Sequence, residues 1–192
     1  MFHRISTFTP ASLTAGAVAL TLTLLTPTDG AAQQTRRVVI TDLPIAEQMQ
    51  IRTQAETSRK EADEILQQAI TANDERKFRR AAELFERSGR LRTPGDRHGI
   101  EAFEQAGTAY FNAEKPMRAS RAWEEAGNRA LIFGNVFGGS QNYMRAAVAA
   151  QEAGDRVRTS DLAWKAYHLT ESPQLTGDQK RELRSFIRMV SE

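Results

Sequence analysis

The chain carries few of the side chains that usually do chemistry, and their spacing does not bring them together. It has no cysteine and three histidines among 192 residues. His98 and His168 have no second histidine at metal-ligand spacing, so we predict no metal site. The adjacent acids Glu124 and Glu125 would point apart on a helix, whereas general acid–base catalysis needs carboxyl groups that converge.

Motifs that bind phosphate or activate a nucleophile are also missing. The chain has no glycine-rich phosphate loop, no serine nucleophile elbow and no Ser-His-Asp order. We therefore predict a protein that is not an enzyme and that carries no cofactor. The alternative is an enzyme whose site is assembled unlike these motifs.

Positive charge is densest between residues 76 and 97, but the net charge of +2 is too balanced to indicate nucleic-acid binding. Such a run can meet an anionic partner, either an acidic protein or lipid head groups. We favour a solvated helix face, because Glu83 and Glu86 lie within one turn of the basic residues. The run consists of Arg76, Lys77, Arg79, Arg80, Arg87, Arg90, Arg92 and Arg97.

The first 32 residues have the pattern of a secretory signal peptide. Arg4 precedes an apolar run from Ala11 to Leu25, which is short for a spanning helix, and small residues at 30–32 suit cleavage before Gln33. We expect Sec-type export to a periplasmic or extracellular location, with no membrane span after cleavage. A retained amino-terminal anchor is the alternative. Without cysteine the exported domain must be held together by packing alone.

Two amphipathic helices are predicted between Ile100 and Gly127, because small and large apolar residues recur every three or four positions. Pro116 marks the start of the second helix, since proline suits the first helical turn. A glycine inside a helix costs about 1 kcal/mol relative to alanine, so we predict a close helix crossing at Gly107. The apolar faces consist of Phe103, Ala106, Gly107 and Tyr110, then Ala119, Ala122, Trp123 and Ala126.

Similar patterns on both sides of this hairpin predict an all-α chain. The predicted order is the leader (1–32), an extended tether (33–43), an N-terminal helix (44–60), helical hairpins within 61–175 (about 61–95, 96–137 and 140–173), and a C-terminal capping helix (176–192). The N-terminal helix is expected to be exposed or to continue into the next helix.

Local signals set the helix ends. Thr41 or Asp42, Asp96, Ser140, and Thr176 or Asp178 are the predicted N-caps, and residues 133–139 are predicted as the loosest connection.

Trp123 and Trp164 both lie among alanines, and we predict that both are core residues. The last helix has an apolar stripe of Leu183, Phe186, Ile187 and Val190.

The central hairpin closely resembles a tetratricopeptide repeat, in which a large residue, a small pair and a tyrosine precede an alanine–aromatic–alanine series. Phe103, Ala106-Gly107 and Tyr110 supply the first set, and Ala119, Trp123 and Ala126 supply the second. The outer copies match less well, and Leu131 stands in place of the family's closing proline. The resemblance covers residues 62–173 and implies a right-handed α-solenoid of about three hairpins.

In this family the first helix of each repeat lines a concave groove, which implies a protein or peptide partner. The implied lining includes Leu66, Ile70, Asn73, Glu101, Glu104, Thr108, Phe111, Met144, Val148 and Gln151. It suits an apolar or helical peptide, and the basic set that clamps a carboxylate terminus is missing. Alternatively, the N-terminal or the last helix fills the groove.

The expected function is a non-catalytic scaffold or adaptor in the cell envelope. The alternative is a structural subunit that self-associates, as a homo-oligomer, through its terminal helices.

Overall fold

The computed structural model describes residues 43–191, except for the side chains of 186 and 188–191. The leader, residues 33–42 of the tether, and the proposed caps Thr41 and Asp42 lie outside the described residues. The chain divides into two units, Met1–Gln48 and Met49–Glu192. In the first unit, the Gln48 side chain donates a hydrogen bond to the Leu43 carbonyl (2.7 Å).

Seven α-helices and no strand make up the described part, which confirms the all-α prediction. They are α1 (Ile45–Ala72), α2 (Glu75–Arg90), α3 (Arg97–Asn112), α4 (Pro116–Ile132), α5 (Val136–Glu152), α6 (Arg156–Leu169) and α7 (Gly177–Ser191). From α2 to α6 each helix packs on the next, and α7 packs on both α5 and α6. The Ser88 hydroxyl of α2 donates to the Ala55 carbonyl of α1 (2.7 Å). None of the described helices combines the length and hydropathy of a membrane span.

Side-chain caps fix several helix starts, as the sequence predicts. Asp96 accepts a hydrogen bond from the His98 N–H (2.8 Å). Thr176 and Gln179 form a reciprocal capping box at the start of α7, in which each side chain accepts from the other residue's N–H. Pro116 is the first residue of α4. These contacts satisfy backbone donors that have no partner inside the helix.

The prediction for the start of α5 is wrong. The helix begins at Val136, because the Asn135 side chain caps it by accepting from the Gly138 N–H (2.9 Å). Ser140, the expected cap, is buried inside the helix, where its hydroxyl donates to the Ala166 carbonyl (3.2 Å). Gly139 serves packing rather than a loop, since a Cβ there would lie 2.7 Å from Leu131.

The N-terminal helix is not separate. Residues 45–60 and 61–72 form one continuous helix, α1, which was one of the two expectations for this segment. Ala55, Ala62 and Ala69 are fully buried along it. Their seven-residue spacing gives α1 a narrow stripe of small contact residues.

A helical glycine beside an aromatic ring of the next helix occurs at three successive helix pairs. A Cβ on Gly107 would lie 2.6 Å from the Trp123 ring, and one on Gly89 would lie 2.7 Å from Phe103. A Cβ on Gly127 would lie 2.9 Å from the Tyr143 ring. Because real Cβ atoms do not approach that closely, glycine is what lets these helices meet at this distance. The close crossing predicted at Gly107 is confirmed.

The two tryptophans have opposite environments. Trp123 is 8% exposed and belongs to the main core cluster, as predicted. Trp164 is 60% exposed, so its prediction as a core residue is wrong. The buried residues of α6 are Leu162 and Ala166. Positions two residues to either side of Trp164 lie on the opposite side of the helix, which turns the indole ring outward.

Candidate binding surface

Polar contacts join the odd-numbered helices side by side. Arg59 of α1 pairs with Glu101 of α3 (3.2 Å). The Asn142 side chain of α5 donates to Glu104 of α3 (2.8 Å), and the Gln141 side chain donates to Glu182 of α7 (3.3 Å). Each contact skips the even-numbered helix between its partners. We call the side of the second unit that carries these contacts the odd-helix face.

The even-numbered helices are joined in the same way. Arg118 of α4 pairs with Glu83 of α2 (3.4 Å). Glu124 of α4 accepts from both Arg158 (2.5 Å) and Lys165 (2.6 Å) of α6. Odd and even helices therefore carry two separate series of side-chain contacts.

Glu101, one of the predicted groove residues, is the centre of a charged cluster. It accepts from Arg97 (3.1 Å), and its second oxygen lies 3.2 Å from Arg59 and 3.3 Å from the His98 ring. Burial raises the pKa of Glu101, but the hydrogen bonds with His98 and Arg59 outweigh it, so the pKa lies below its ordinary value. The Glu101 carboxylate is therefore ionised, and its negative charge is balanced by Arg59 and Arg97 of the same chain.

A cavity of about 300 Å³ lies beside this cluster. It is lined by Arg52, Glu56, Arg59, Lys60, Asp63, Arg92 and His98. Arg92 is 6% exposed and donates to Asp96 (3.2 Å), while its buried Nε has no hydrogen-bond partner among the described residues. Four cationic side chains against two carboxylates make the cavity more favourable for an anion than for a cation.

The other predicted groove residues differ in their accessibility. Ile70 is 57% exposed and Phe111 38% exposed. Thr108 is exposed, and its hydroxyl donates to the Glu104 carbonyl (3.1 Å). Asn73 and Gln151 are exposed, and Leu66 and Val148 are half-buried. Met144 is only 5% exposed and belongs to the core, which removes it from the accessible lining.

Two exposed apolar residues of the odd-numbered helices, Ile70 and Phe111, lie at one level, and the half-buried Val148 lies near that level. Since the chain reverses at each short turn, α1 and α3 run in the same direction, and the Arg59–Glu101 contact aligns them. Ile70 and Phe111 each lie about three turns past that contact. The Glu104–Asn142 contact aligns α3 with α5, and it places Val148 beside the level of Phe111. These three residues therefore share a level on α1, α3 and α5, and we call them the apolar row.

The basic run is largely a solvated face. Arg80 pairs with Glu61 (3.6 Å), Arg90 pairs with Glu86, and Arg97 pairs with Glu101. Glu86 therefore pairs with a basic residue of the run, as predicted, whereas Glu83 pairs with Arg118 of another helix. The basic residues of this run that form ion pairs therefore pair with different carboxylates rather than with one shared partner.

Sequence reasoning missed an aromatic cluster on α6. Trp164 stacks on Tyr167, with ring centroids 5.9 Å apart and planes at 14°, and the His168 ring meets Trp164 edge-on at 4.1 Å. Tyr167 is 42% exposed and Val157 is 74% exposed. The available signal was that Val157 and Trp164 share one side of the helix while Leu162 and Ala166 share the other.

No family model, curated protein or solved structure matches this chain.

Proposed function

We propose that this protein is a non-catalytic scaffold or adaptor of the cell envelope that binds a segment of a partner protein on its odd-helix face. In this proposal the helices form tetratricopeptide-like hairpins in a right-handed α-solenoid, and the leader directs export. The sequential packing of α2 to α7 and the repeated glycine–aromatic contacts support it. A regular array of this kind presents an extended surface for a peptide.

The observation that carries the proposal is the apolar row of Ile70, Phe111 and Val148. Ile70 and Phe111 are exposed and Val148 is half-buried, about two to three turns past the polar contacts that align α1, α3 and α5. An apolar row flanked by polar groups suits the apolar face of an amphipathic helix. Thr108 and Gln151 stand next to the row and can hydrogen-bond to the polar flank of that helix.

The test uses peptides selected from a helical display library against the purified protein, with affinity measured by fluorescence anisotropy. Phe111→Ala should weaken binding at least about 10-fold, since central aromatic contacts carry most of the binding energy. Ile70→Ser is the second variant, because Ile70 is mostly exposed and its loss should not disturb the fold.

Ile132→Ala is the matched control. Ile132 is 64% exposed at the far end of α4, so its truncation removes apolar surface away from the row. Failure to select any peptide, together with no partner recovered from the native envelope, would count against the proposal. Equal affinities for Phe111→Ala, Ile70→Ser and the unaltered protein would also reject it.

A further inference from the structure

The outward side of α6 is an exposed apolar surface on a different set of helices from the odd-helix face. Val157 is 74%, Trp164 60% and Tyr167 42% exposed, and His168 is exposed beside them. All four side chains lie on the side of α6 opposite Leu162 and Ala166. We call these four residues the α6 patch.

The aromatic side chains of the α6 patch are held in place by contacts within the single chain. Trp164 is held between the stacked ring of Tyr167 and the edge of the His168 ring. Lys165, on the flank, is held by Glu124 of α4 (2.6 Å). Aromatic side chains that are already oriented lose little conformational entropy when they bind, and tryptophan and tyrosine are the most frequent anchors of protein interfaces.

Charges at the edges of the α6 patch indicate the occupant. Asp161 and His168 lie about one turn on either side of Trp164, Arg156 is the first residue of α6, and Glu171 lies in the turn just after its last residue, Leu169. We propose that α6 packs antiparallel against α6 of a second copy, with the two-fold axis at Trp164.

In this arrangement opposite charges meet. A two-fold axis places residues before Trp164 in one copy opposite residues after Trp164 in the other. Asp161 of each copy then accepts from the His168 ring of the other, and Arg156 faces Glu171. One carboxylate oxygen of Glu171 keeps its contacts with Arg184 (2.9 Å) and the Thr170 hydroxyl (3.3 Å) of its own chain. The other oxygen has no hydrogen-bond donor among the described residues and can accept from Arg156. A parallel pairing would instead place identical charges opposite each other.

The first experiment measures the mass of the purified full chain by sedimentation equilibrium over a concentration series. The expected result is a reversible monomer–dimer equilibrium. Trp164→Ala should weaken dimerisation at least about 10-fold, because it removes the central anchor of both copies. Ile132→Ala, which removes a similarly exposed apolar side chain from α4, should leave the equilibrium unchanged.

Charge exchange tests the antiparallel arrangement itself. Asp161→Arg and His168→Glu should each weaken the dimer, because each opposes like charges or removes a hydrogen bond across the interface. Mixing Asp161→Arg with His168→Glu should restore dimerisation as a heterodimer. The introduced arginine then faces the introduced glutamate, and the unaltered His168 of the first variant faces the unaltered Asp161 of the second. Both side chains are exposed, and unchanged circular dichroism melting of each variant checks that the fold is intact.

Three results would overturn the proposal. One is a protein that stays monomeric at every concentration. That result would overturn the proposal even if residues 1–42 or a different protein were then found to contact Trp164. Another is a dimer that Trp164→Ala does not affect. The third is a mixture of the charge variants that stays monomeric.

Discussion

Gly107 of α3 leaves the space that the indole ring of Trp123 occupies. The nearest ring atoms would lie 2.6 Å from a Cβ at this position, and Trp123 is held there by the tilted ring of Phe111 at 5.9 Å. The unfavourable helix propensity of glycine is thus offset by the burial of a large aromatic side chain.

Gly107→Ala should therefore destabilise the protein, although alanine is the better helix former. Moving a ring in a packed core costs about 1–3 kcal/mol, against a gain in helix propensity of about 1 kcal/mol. We expect a net loss of up to about 2 kcal/mol in the free energy of unfolding, measured by urea denaturation. Gly177→Ala is the matched control, because a Cβ there meets nothing within 4 Å and should change stability little. A Gly107→Ala protein as stable as the control would refute the argument.

Alanine neighbours do not by themselves predict that a tryptophan is buried, as Trp164 shows. Trp123 follows Gly107, and Tyr143 follows Gly127, by the same number of residues. The position at that distance before Trp164 is Val148, which has a side chain where the buried rings find a glycine. A glycine at that distance is not required for burial, however, because Phe85 is fully buried and the residue at that distance before it is Ala69. Trp164 is exposed because Leu162 and Ala166, on the other side of α6, are the buried residues of that helix.

Between elements, the contact of Glu124 with Arg158 and Lys165 joins α4 to α6. Arg158 also donates to the buried Ser120 hydroxyl (2.8 Å). Burial raises the pKa of Glu124, but the hydrogen bonds from Lys165 and Arg158 outweigh it and hold the pKa below its ordinary value. The carboxylate is therefore more stable in the folded chain than in the unfolded chain.

This contact should make stability fall in acid. Because the folded pKa of Glu124 is depressed, its contribution is complete above the unfolded pKa of about 4.3 and is lost as the pH falls through the folded value. Glu124→Gln should lower the free energy of unfolding at pH 7 by about 1–2 kcal/mol. It should also reduce the difference in stability between pH 7 and pH 3, measured by urea denaturation.

Glu56→Gln is the control for this contact. Glu56 pairs with Arg52 within α1, but both side chains are mostly exposed (59% and 74%), so the pair should contribute little. If Glu124→Gln and Glu56→Gln had the same acid dependence, the bridge between α4 and α6 would not be the source of the effect.

Helix ends were predictable where one side chain decides them, except at α5, where the glycines that follow the Asn135 cap resemble a loop. Asp96, Pro116 and Thr176 act within a few residues of their own positions, so the sequence contains the whole interaction. The start of α5 was not predictable in this way. Gly138 and Gly139 resemble a loop, and only the approach of Leu131 from α4 shows why glycine is needed inside the helix.

At the scale of the second unit, residues from all seven helices belong to one core cluster. Alanine supplies much of it, with larger side chains between: Leu84 and Phe85 from α2, Tyr110 from α3, Trp123 from α4, Tyr143 and Met144 from α5, Leu162 from α6 and Leu183 from α7. Repeating apolar faces predicted that consecutive helices pack together. Ile70, Phe111 and Val148 were among the residues that the resemblance implied for the groove, but their common level follows only from the contacts that align α1, α3 and α5.

A continuous core predicts that the helices unfold together. Leu183 of α7 is fully buried, and Ile187 packs against the same cluster. Loss of Leu183 should therefore weaken the whole array, because each helix is stable only while its neighbours cover its apolar face. Leu183→Ala should lower the free energy of unfolding by about 2–5 kcal/mol.

Two probes can follow this unfolding at different places. The chain has two tryptophans, so Trp164→Phe leaves Trp123, in the middle of the core, as the only tryptophan reporter, while far-ultraviolet circular dichroism reports all helices. Both probes should give one coincident urea transition, and Leu183→Ala in this background should shift both equally. Trp164 is mostly exposed, so the background change itself should cost little stability. If Leu183→Ala shifted only the circular dichroism transition and left the Trp123 transition in place, α7 would unfold independently and the core would not act as one unit.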